Sequence, residues 1–247
     1  MNFFSLIKRD LIYKFKKKIS IETDSFKFKT LDELFHHYGS DKAEIFKHTN
    51  QRGHGFSRFY EEKLKKFQDK KINILEIGSY SGASAAAFVK YFNNLNIFCF
   101  DVNISNFIYK AKNIHVFGID IKNEKKINKL LQSIFYQHKF SEFDIIIDDG
   151  SHNLNDILIG LKLLFKVVKT EGIYIIEDFK YPNYYEYNND INHIFIDEFL
   201  VNLIHKKLSL SSIFSENDQK NLMNSIEKIE SHKGNLNNSD ISFITKK

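Results

Sequence analysis

From residue 72 onward the chain alternates short apolar runs with amphipathic stretches, and few folds can accept that rhythm. Runs at about 72–77, 96–101, 114–118, 143–148 and 172–177 are rich in Ile, Phe and Val and are bounded by Gly, Asn or Asp, so they read as buried strands. Between them the periodicity predicts helices at about 83–93, 105–112, 123–137 and 154–168. Strands and helices in alternation build a mostly parallel, doubly wound sheet, because right-handed crossovers lay helices on both of its faces. Two final alternating runs, around 225–232 and 240–246, flank Gly234-Asn-Leu-Asn-Asn238 and predict a C-terminal antiparallel hairpin, which brings the strands to seven.

Upstream of residue 72 the signals are helical. Phe4, Ile7, Leu11 and Phe15 fall on one face of an amphipathic segment. A packing or subunit-contact helix, and with it a homo-oligomer, is the first expectation, and weak association with a membrane surface through this basic helix the second. Thr30-Leu-Asp-Glu33 has capping-box spacing and predicts a helix through Tyr38, and Ser57 starts another carrying Phe59, Tyr60, Leu64 and Phe67. After residue 178 an aromatic, polar loop containing Tyr181, Tyr184, Tyr185 and Tyr187 precedes a helix near 191–205.

Charge placement excludes some partners. Residues 1–18 hold Lys8, Arg9, Lys14, Lys16, Lys17 and Lys18 against Asp10 alone, which accounts for the whole net charge of +5 in this 247-residue chain. The body is neutral and does not suit nucleic acid. No stretch is long and apolar enough for a transmembrane span. The N-terminal stretch lacks a signal-peptide pattern and reads as part of the mature protein. The single cysteine, Cys99, sits in Ile97-Phe-Cys-Phe100 and cannot form an internal disulfide, which favours a reducing, cytoplasmic setting.

The chemistry gathers at strand ends. Asp144-Ile-Ile-Ile-Asp-Asp-Gly-Ser-His152 and Gly172-Ile-Tyr-Ile-Ile-Glu-Asp178 each stop abruptly in carboxylates, and parallel sheets carry ligands at the carboxyl ends of their strands. Asp148, Asp149, Glu177 and Asp178 in one crevice call for a hard cation, a shared proton or basic partners. Earlier, Ile72-Asn-Ile-Leu-Glu-Ile-Gly-Ser-Tyr-Ser-Gly82 forms a strand, a glycine turn and a helix start. Gly78 allows a sharp turn and Gly82 a close approach, but the dinucleotide pattern lacks its second glycine, and acidic Glu76 repels a pyrophosphate while suiting a cationic ligand. Asp101 after the second strand can hold ribose hydroxyls, and Asp120 after the third can meet an adenine amino group. With Glu76 they have the spacing of an S-adenosyl-L-methionine site.

Over about residues 30 to 180 the sequence resembles class I S-adenosylmethionine-dependent methyltransferases, and within them the metal-dependent sugar O-methyltransferases of the mycinamicin, macrolide-sugar type. Three pieces carry the resemblance: His37-Tyr-Gly-Ser-Asp-Lys42 with Gly55-Phe-Ser-Arg-Phe-Tyr60, then Leu75-Glu-Ile-Gly-Ser-Tyr-Ser-Gly82, and above all Ile147-Asp-Asp-Gly-Ser-His152 paired with Glu177-Asp178. It implies a Rossmann-like methyltransferase domain over 61–247 preceded by a helical extension or lid over 1–60. It further implies that Glu76, Gly78, Ser79, Tyr80, Gly82, Asp101 and Asp120 serve S-adenosyl-L-methionine, with Asp148 supporting the cofactor loop. Asp149, Glu177 and Asp178 then hold Mg²⁺, with Mn²⁺ as the other choice, and His152 is the general base. The expected acceptor is a small molecule or glycan, methylated on a sugar hydroxyl of a glycoside or surface-polysaccharide precursor. A catechol-like acceptor, or a non-catalytic scaffold with a methyltransferase fold, are the alternatives. His36, His37, His48 and His54 lack zinc-site spacing and suit a lid or surface helices, and the four tyrosines of the loop after Asp178 could stack on a sugar ring.

Overall fold

The computed structural model describes residues 3–180 and 194–247. Its seven main strands make a mixed, mostly parallel sheet flanked by helices, as expected. The chain divides into two compact units, residues 1–120 with 234–237, and residues 121–233 with 238–247.

Unit 1 contains strands β1 (Lys71–Ile77), β2 (Asn94–Asp101) and β3 (Ile114–Gly118) and helices α1 (Phe3–Phe15), α2 (Leu31–Tyr38), α3 (Ser57–Leu64) and α4 (Ala83–Tyr91). β2 lies between β1 and β3, parallel to both. Thr30 caps α2 as its spacing predicts, accepting the Glu33 N–H (3.2 Å), and Gly39 closes the helix at φ 80°. α2 packs on α3 and α4, where the rings of Phe35, Tyr60 and Phe88 meet at centroid distances of 5.4 to 6.0 Å. These large buried side chains supply the apolar area that holds the N-terminal helices down.

Unit 2 contains β4 (Phe143–Asp148), β5 (Val168–Glu177), β6 (Ile226–Lys233) and β7 (Asp240–Lys246), with α5 (Glu124–His138), α6 (Leu154–Leu164), α7 (Ile196–Ile204) and α8 (Glu216–Ser225). β4 and β5 are parallel, and β7 runs antiparallel to β5 and to β6, which is the expected terminal hairpin. Every residue of β4 is buried, as a continuous apolar run bounded by polar residues requires.

Four expectations need correction or closer bounds. No helix forms over 105–112. A 3₁₀ turn at Ile104–Asn106 is followed by fully buried Phe107 and by Tyr109–Lys110, which pair in parallel with Ile19–Ser20. The Ser105 hydroxyl donates to the Asn103 side chain (2.6 Å), a local bond that competes with helix formation. α6 stops at Leu164, and β5 begins at Val168, earlier than its apolar run suggests. α7 occupies 196–204, within the helix expected over 191–205; Tyr181, Tyr184, Tyr185, Tyr187 and residues 191–193 lie outside the described residues.

The orientation of α1, which periodicity leaves open, follows from its polar contacts. Its polar side faces the protein: Arg9 Nη1 donates to the Val102 carbonyl (2.9 Å), Lys16 Nζ to the Ser105 carbonyl (2.8 Å), and the Tyr13 ring meets Phe107 edge-on. Carbonyls of the turn at 102–106 attract cations more strongly than methyl groups, so Ile7, Leu11 and Phe15 are left exposed.

One ionised side chain ties the N-terminal segment together. Asp24 accepts from the Phe26 N–H (2.8 Å), His37 Nε2 (2.8 Å) and the Tyr38 hydroxyl (2.9 Å), while Phe26 stacks on His37 at 3.9 Å. Burial pushes the carboxyl up, but the three donors outweigh it and hold it down to about 2. A carboxyl lowered in the folded state stabilises above its unfolded value of 3.8, and that contribution is lost as pH falls through about 2. Asp24→Asn should therefore lower the unfolding free energy by about 1 kcal/mol at neutral pH. In urea titrations the difference from wild type should shrink steadily below pH 4, and a constant difference would contradict this role.

Candidate functional site

Unit 1 supplies a glycine loop at the carboxyl ends of β1 and β2. Gly78 turns the chain at φ 82°, and its N–H donates to the Phe100 carbonyl (2.8 Å). Tyr80 follows at φ 42° and is exposed, and Gly82 at φ 80° caps α4. No side chain fits at Gly82, because an added Cβ would lie 2.4 Å from the Phe107 ring. The close approach expected at this glycine is therefore made by the protein's own aromatic ring. Glu76 is buried and accepts from the Ser84 hydroxyl in the first turn of α4, and the Ser79 hydroxyl donates to the Glu76 carbonyl (3.4 Å). Asp101 holds the loop from the next strand, its Oδ2 accepting the Tyr80 N–H (2.7 Å) and its Oδ1 the Asn103 N–H (2.6 Å). Glu76, Gly78, Ser79, Tyr80, Gly82 and Asp101 thus form one locality, and Asp120 lies half-buried two residues beyond the end of β3.

Unit 2 supplies the acidic cluster. Ligand atoms of Asp149, His152 and Asp178 all lie within 4.8 Å of one another, and His152 Nε2 is 3.9 Å from Asp149 Oδ1. Glu177, buried at the end of β5, is outside that group. Two carboxylates beside an imidazole fit a hard divalent cation that keeps much of its water, and an imidazole as a further ligand would suit Mn²⁺ better than Mg²⁺. Both His152 (φ 54°) and Asp178 (φ 47°) adopt the left-handed conformation, which costs a non-glycine residue about 1 kcal/mol or more and persists only where neighbouring bonds enforce it. For Asp178 the enforcing bond is its N–H to the Asp240 carbonyl (2.7 Å).

Residues not singled out in the sequence hold the histidine loop. The Ser151 hydroxyl donates to Asp156 Oδ2 (2.6 Å), Asp156 Oδ1 lies 3.1 Å from Lys122 Nζ, and the Asn153 side chain caps α6 by accepting the Asn155 N–H (3.1 Å). The only sequence signal for Asp156 was an acid in the first turn of an expected helix, a common feature with many causes.

Asp148 and Asp149 are neighbours with opposite surroundings. Asp148 points into unit 2, where the Tyr174 hydroxyl donates to its Oδ2 (3.1 Å) and Gly160 leaves room that a Cβ would fill at 2.7 Å from that oxygen. Burial pushes its carboxyl up to about 7, the Tyr174 hydroxyl draws it back and the Asp149 charge raises it further. The four N-terminal histidines do not converge. His37 bonds Asp24, His36 Nδ1 lies 2.9 Å from the Ile45 carbonyl, His54 Nε2 is 3.9 Å from Asp41, and the His48 ring lies against Gly39.

No known family profile matches the chain. Over 148 residues it is 24% identical to the 8-demethyl-8-alpha-L-rhamnosyl tetracenomycin-C 2'-O-methyltransferase of Streptomyces olivaceus, covering 57% of this chain and 35% of the relative. Over 132 residues it is 25% identical to the demethylmacrocin O-methyltransferase of Streptomyces fradiae, covering 51% and 32%. Among solved structures it is similar to the MycE methyltransferase in complex with Mg and SAH, at a TM-score of 0.67 and 20% identity over 89% of this chain and 54% of that one. The complex that also holds mycinamycin VI gives a TM-score of 0.64 at 17% identity. The fold is that of a class I methyltransferase. The chain spans about a third of the length of these curated relatives and just over half of MycE. Within this methyltransferase fold the glycine loop is sterically constrained at Gly82. Gly82→Ala should lower stability by about 2 kcal/mol or more, because it combines a left-handed backbone with a clash against Phe107. A thermal melt unchanged by the substitution would show that Phe107 yields freely.

Proposed function

We propose that the chain is an S-adenosylmethionine-dependent, Mg²⁺-dependent O-methyltransferase that acts on a sugar hydroxyl of a glycoside or surface-polysaccharide precursor. The observation that carries the reading is the convergence of Asp149, His152 and Asp178 at the carboxyl ends of β4 and β5. Support comes from the relatives, whose names describe O-methylation of a rhamnosyl tetracenomycin and of demethylmacrocin, and from the Mg and SAH of the MycE complexes.

In this reading the loop of Glu76, Gly78, Ser79, Tyr80 and Gly82 receives the methyl donor, Asp101 takes its ribose hydroxyls and Asp120 its adenine amino group. When bound, the sulfonium supplies the methyl group, and the cation lowers the pKa of the acceptor hydroxyl and orients it. Asp149 and Asp178 would hold that cation, with Glu177 as the third carboxylate that the resemblance implies. His152 accepts the hydroxyl proton at Nε2, and Ser151 and Asp156 fix the loop that carries it. Asp148, held by the Tyr174 hydroxyl, also accepts the Gly150 N–H at the start of that loop. Residues 1–60 act as a helical extension or lid to the methyltransferase domain over 61–247. Cys99, whose thiol burial and Glu76 push well up, is an inert core residue suited to the cytoplasm. Among the described residues no helix is long and apolar enough to cross a membrane.

Incubation with labelled S-adenosylmethionine, Mg²⁺ and a panel of rhamnosyl and other glycosides should yield a methylated sugar. Calorimetry showing no affinity for S-adenosylmethionine would exclude the reading. His152→Ala should lower the rate of methyl transfer by about 10²-fold or more while leaving donor affinity unchanged. Full turnover by this variant at neutral pH would remove His152 as the base. Titration of Mn²⁺ by electron paramagnetic resonance should show affinity falling about tenfold or more in Asp149→Asn and Asp178→Asn, and less in Glu177→Gln.

A further inference from the structure

We propose that the outward face of α1 docks on an anionic lipid surface, with the helix lying in the plane of the interface. Four apolar residues of this one short helix point away from the protein: Ile7 is 42% exposed, Leu11 49%, Ile12 45% and Phe15 87%. At 3.6 residues per turn they span an arc of about 140°, the broad apolar face of an interfacial helix. Exposure of one such side chain is ordinary, but four on one side of a single short helix is not. The amphipathy is inverted with respect to the fold, since Arg9 and Lys16 are spent on the carbonyls of Val102 and Ser105 while the methyl groups and the Phe15 ring face outward.

Charge selects the occupant. Lys8 lies within the exposed arc, Lys14 at its edge pairs only with Asp10 on the same helix, and Lys17 follows the helix end. The first 18 residues carry the full net charge of +5 while the rest of the chain balances. A second copy seated on this face would bring two such segments together, so self-association is electrostatically opposed. Nucleic acid offers anions and no apolar phase. An anionic bilayer offers both, a hydrocarbon boundary for Leu11 and Phe15 and headgroup charge for the lysines. The helix has 13 residues, too few to span a bilayer, so it lies on one.

The test is flotation of the full chain with vesicles of phosphatidylcholine alone and of phosphatidylcholine mixed with phosphatidylglycerol. The protein should partition onto the mixed vesicles about tenfold or more better than onto the neutral ones, and raised ionic strength should reduce the difference. The double variant Leu11→Ser, Phe15→Ser changes exposed residues only, so its melting temperature should match wild type while its partitioning falls about tenfold or more. Equal binding of variant and wild type would overturn the proposal, as would failure of the wild type to float with either vesicle. A lipid-independent dimer that the variant converts to monomer would also overturn it, by assigning the face to a second copy. None of these readouts depends on methyl transfer, so they stand or fall separately from the catalytic reading.

Discussion

An ionised carboxylate cannot be buried without partners, yet β4, enclosed along its whole length, runs directly into two of them. The alternation of side chains along an extended strand separates the pair. Asp148 turns inward, where burial pushes its carboxyl up to about 7 and the Tyr174 hydroxyl satisfies Oδ2. Asp149 turns to the half-buried side, where His152 and Asp178 join it. α6 accommodates the inward carboxyl by carrying glycine at position 160, because any larger residue would press on Asp148. The strand therefore bears one acid that the protein can keep close to neutral and one left for a cation or proton, and the geometry of the loop follows from that division.

The same economy governs the backbone around the acids. Left-handed residues are rare off glycine, but Tyr80, His152 and Asp178 all adopt that conformation where a strand ends and the chain must turn at once. Each is held by a bond from a neighbouring element: Asp101 receives the Tyr80 N–H, Asp240 receives that of Asp178, and Ser151 with Asp156 fixes the approach to His152. Such enforced turns suit side chains that must be oriented before a ligand arrives, since the cost of ordering is met in folding rather than in binding.

Legibility in the sequence tracked burial. The strands were readable because runs such as Ile145-Ile-Ile147 have few alternatives, and the glycine loop because Gly78 and Gly82 do what other residues cannot. The expected helix over 105–112 failed because its short polar side chains bond locally and because Phe107 is drawn into the place left open by Gly82, a tertiary contact invisible to periodicity. At the acidic site, Asp149, His152 and Asp178 were legible as a motif. Glu177, expected beside them as a third ligand, does not join that group of converging ligand atoms among the described residues. Asp156 and Tyr174 were illegible: each works through a partner distant in sequence, and neither carries a local signature.

α1 shows the limit of pattern reading most plainly. Periodicity states which residues share a face, and it placed Ile7, Leu11 and Phe15 together correctly. It cannot state what that face meets, because the inward direction is decided by the surface beneath the helix. That surface is a turn with carbonyls at Val102 and Ser105, and for such a partner a guanidinium and an ammonium are better ligands than methyl groups. Docking by the polar edge leaves the apolar stripe outside, where water opposes it. A helix held this way is stable as part of the chain and unsatisfied at its surface, which is the physical condition for binding something apolar, and the lysines around the stripe require that the partner also be anionic.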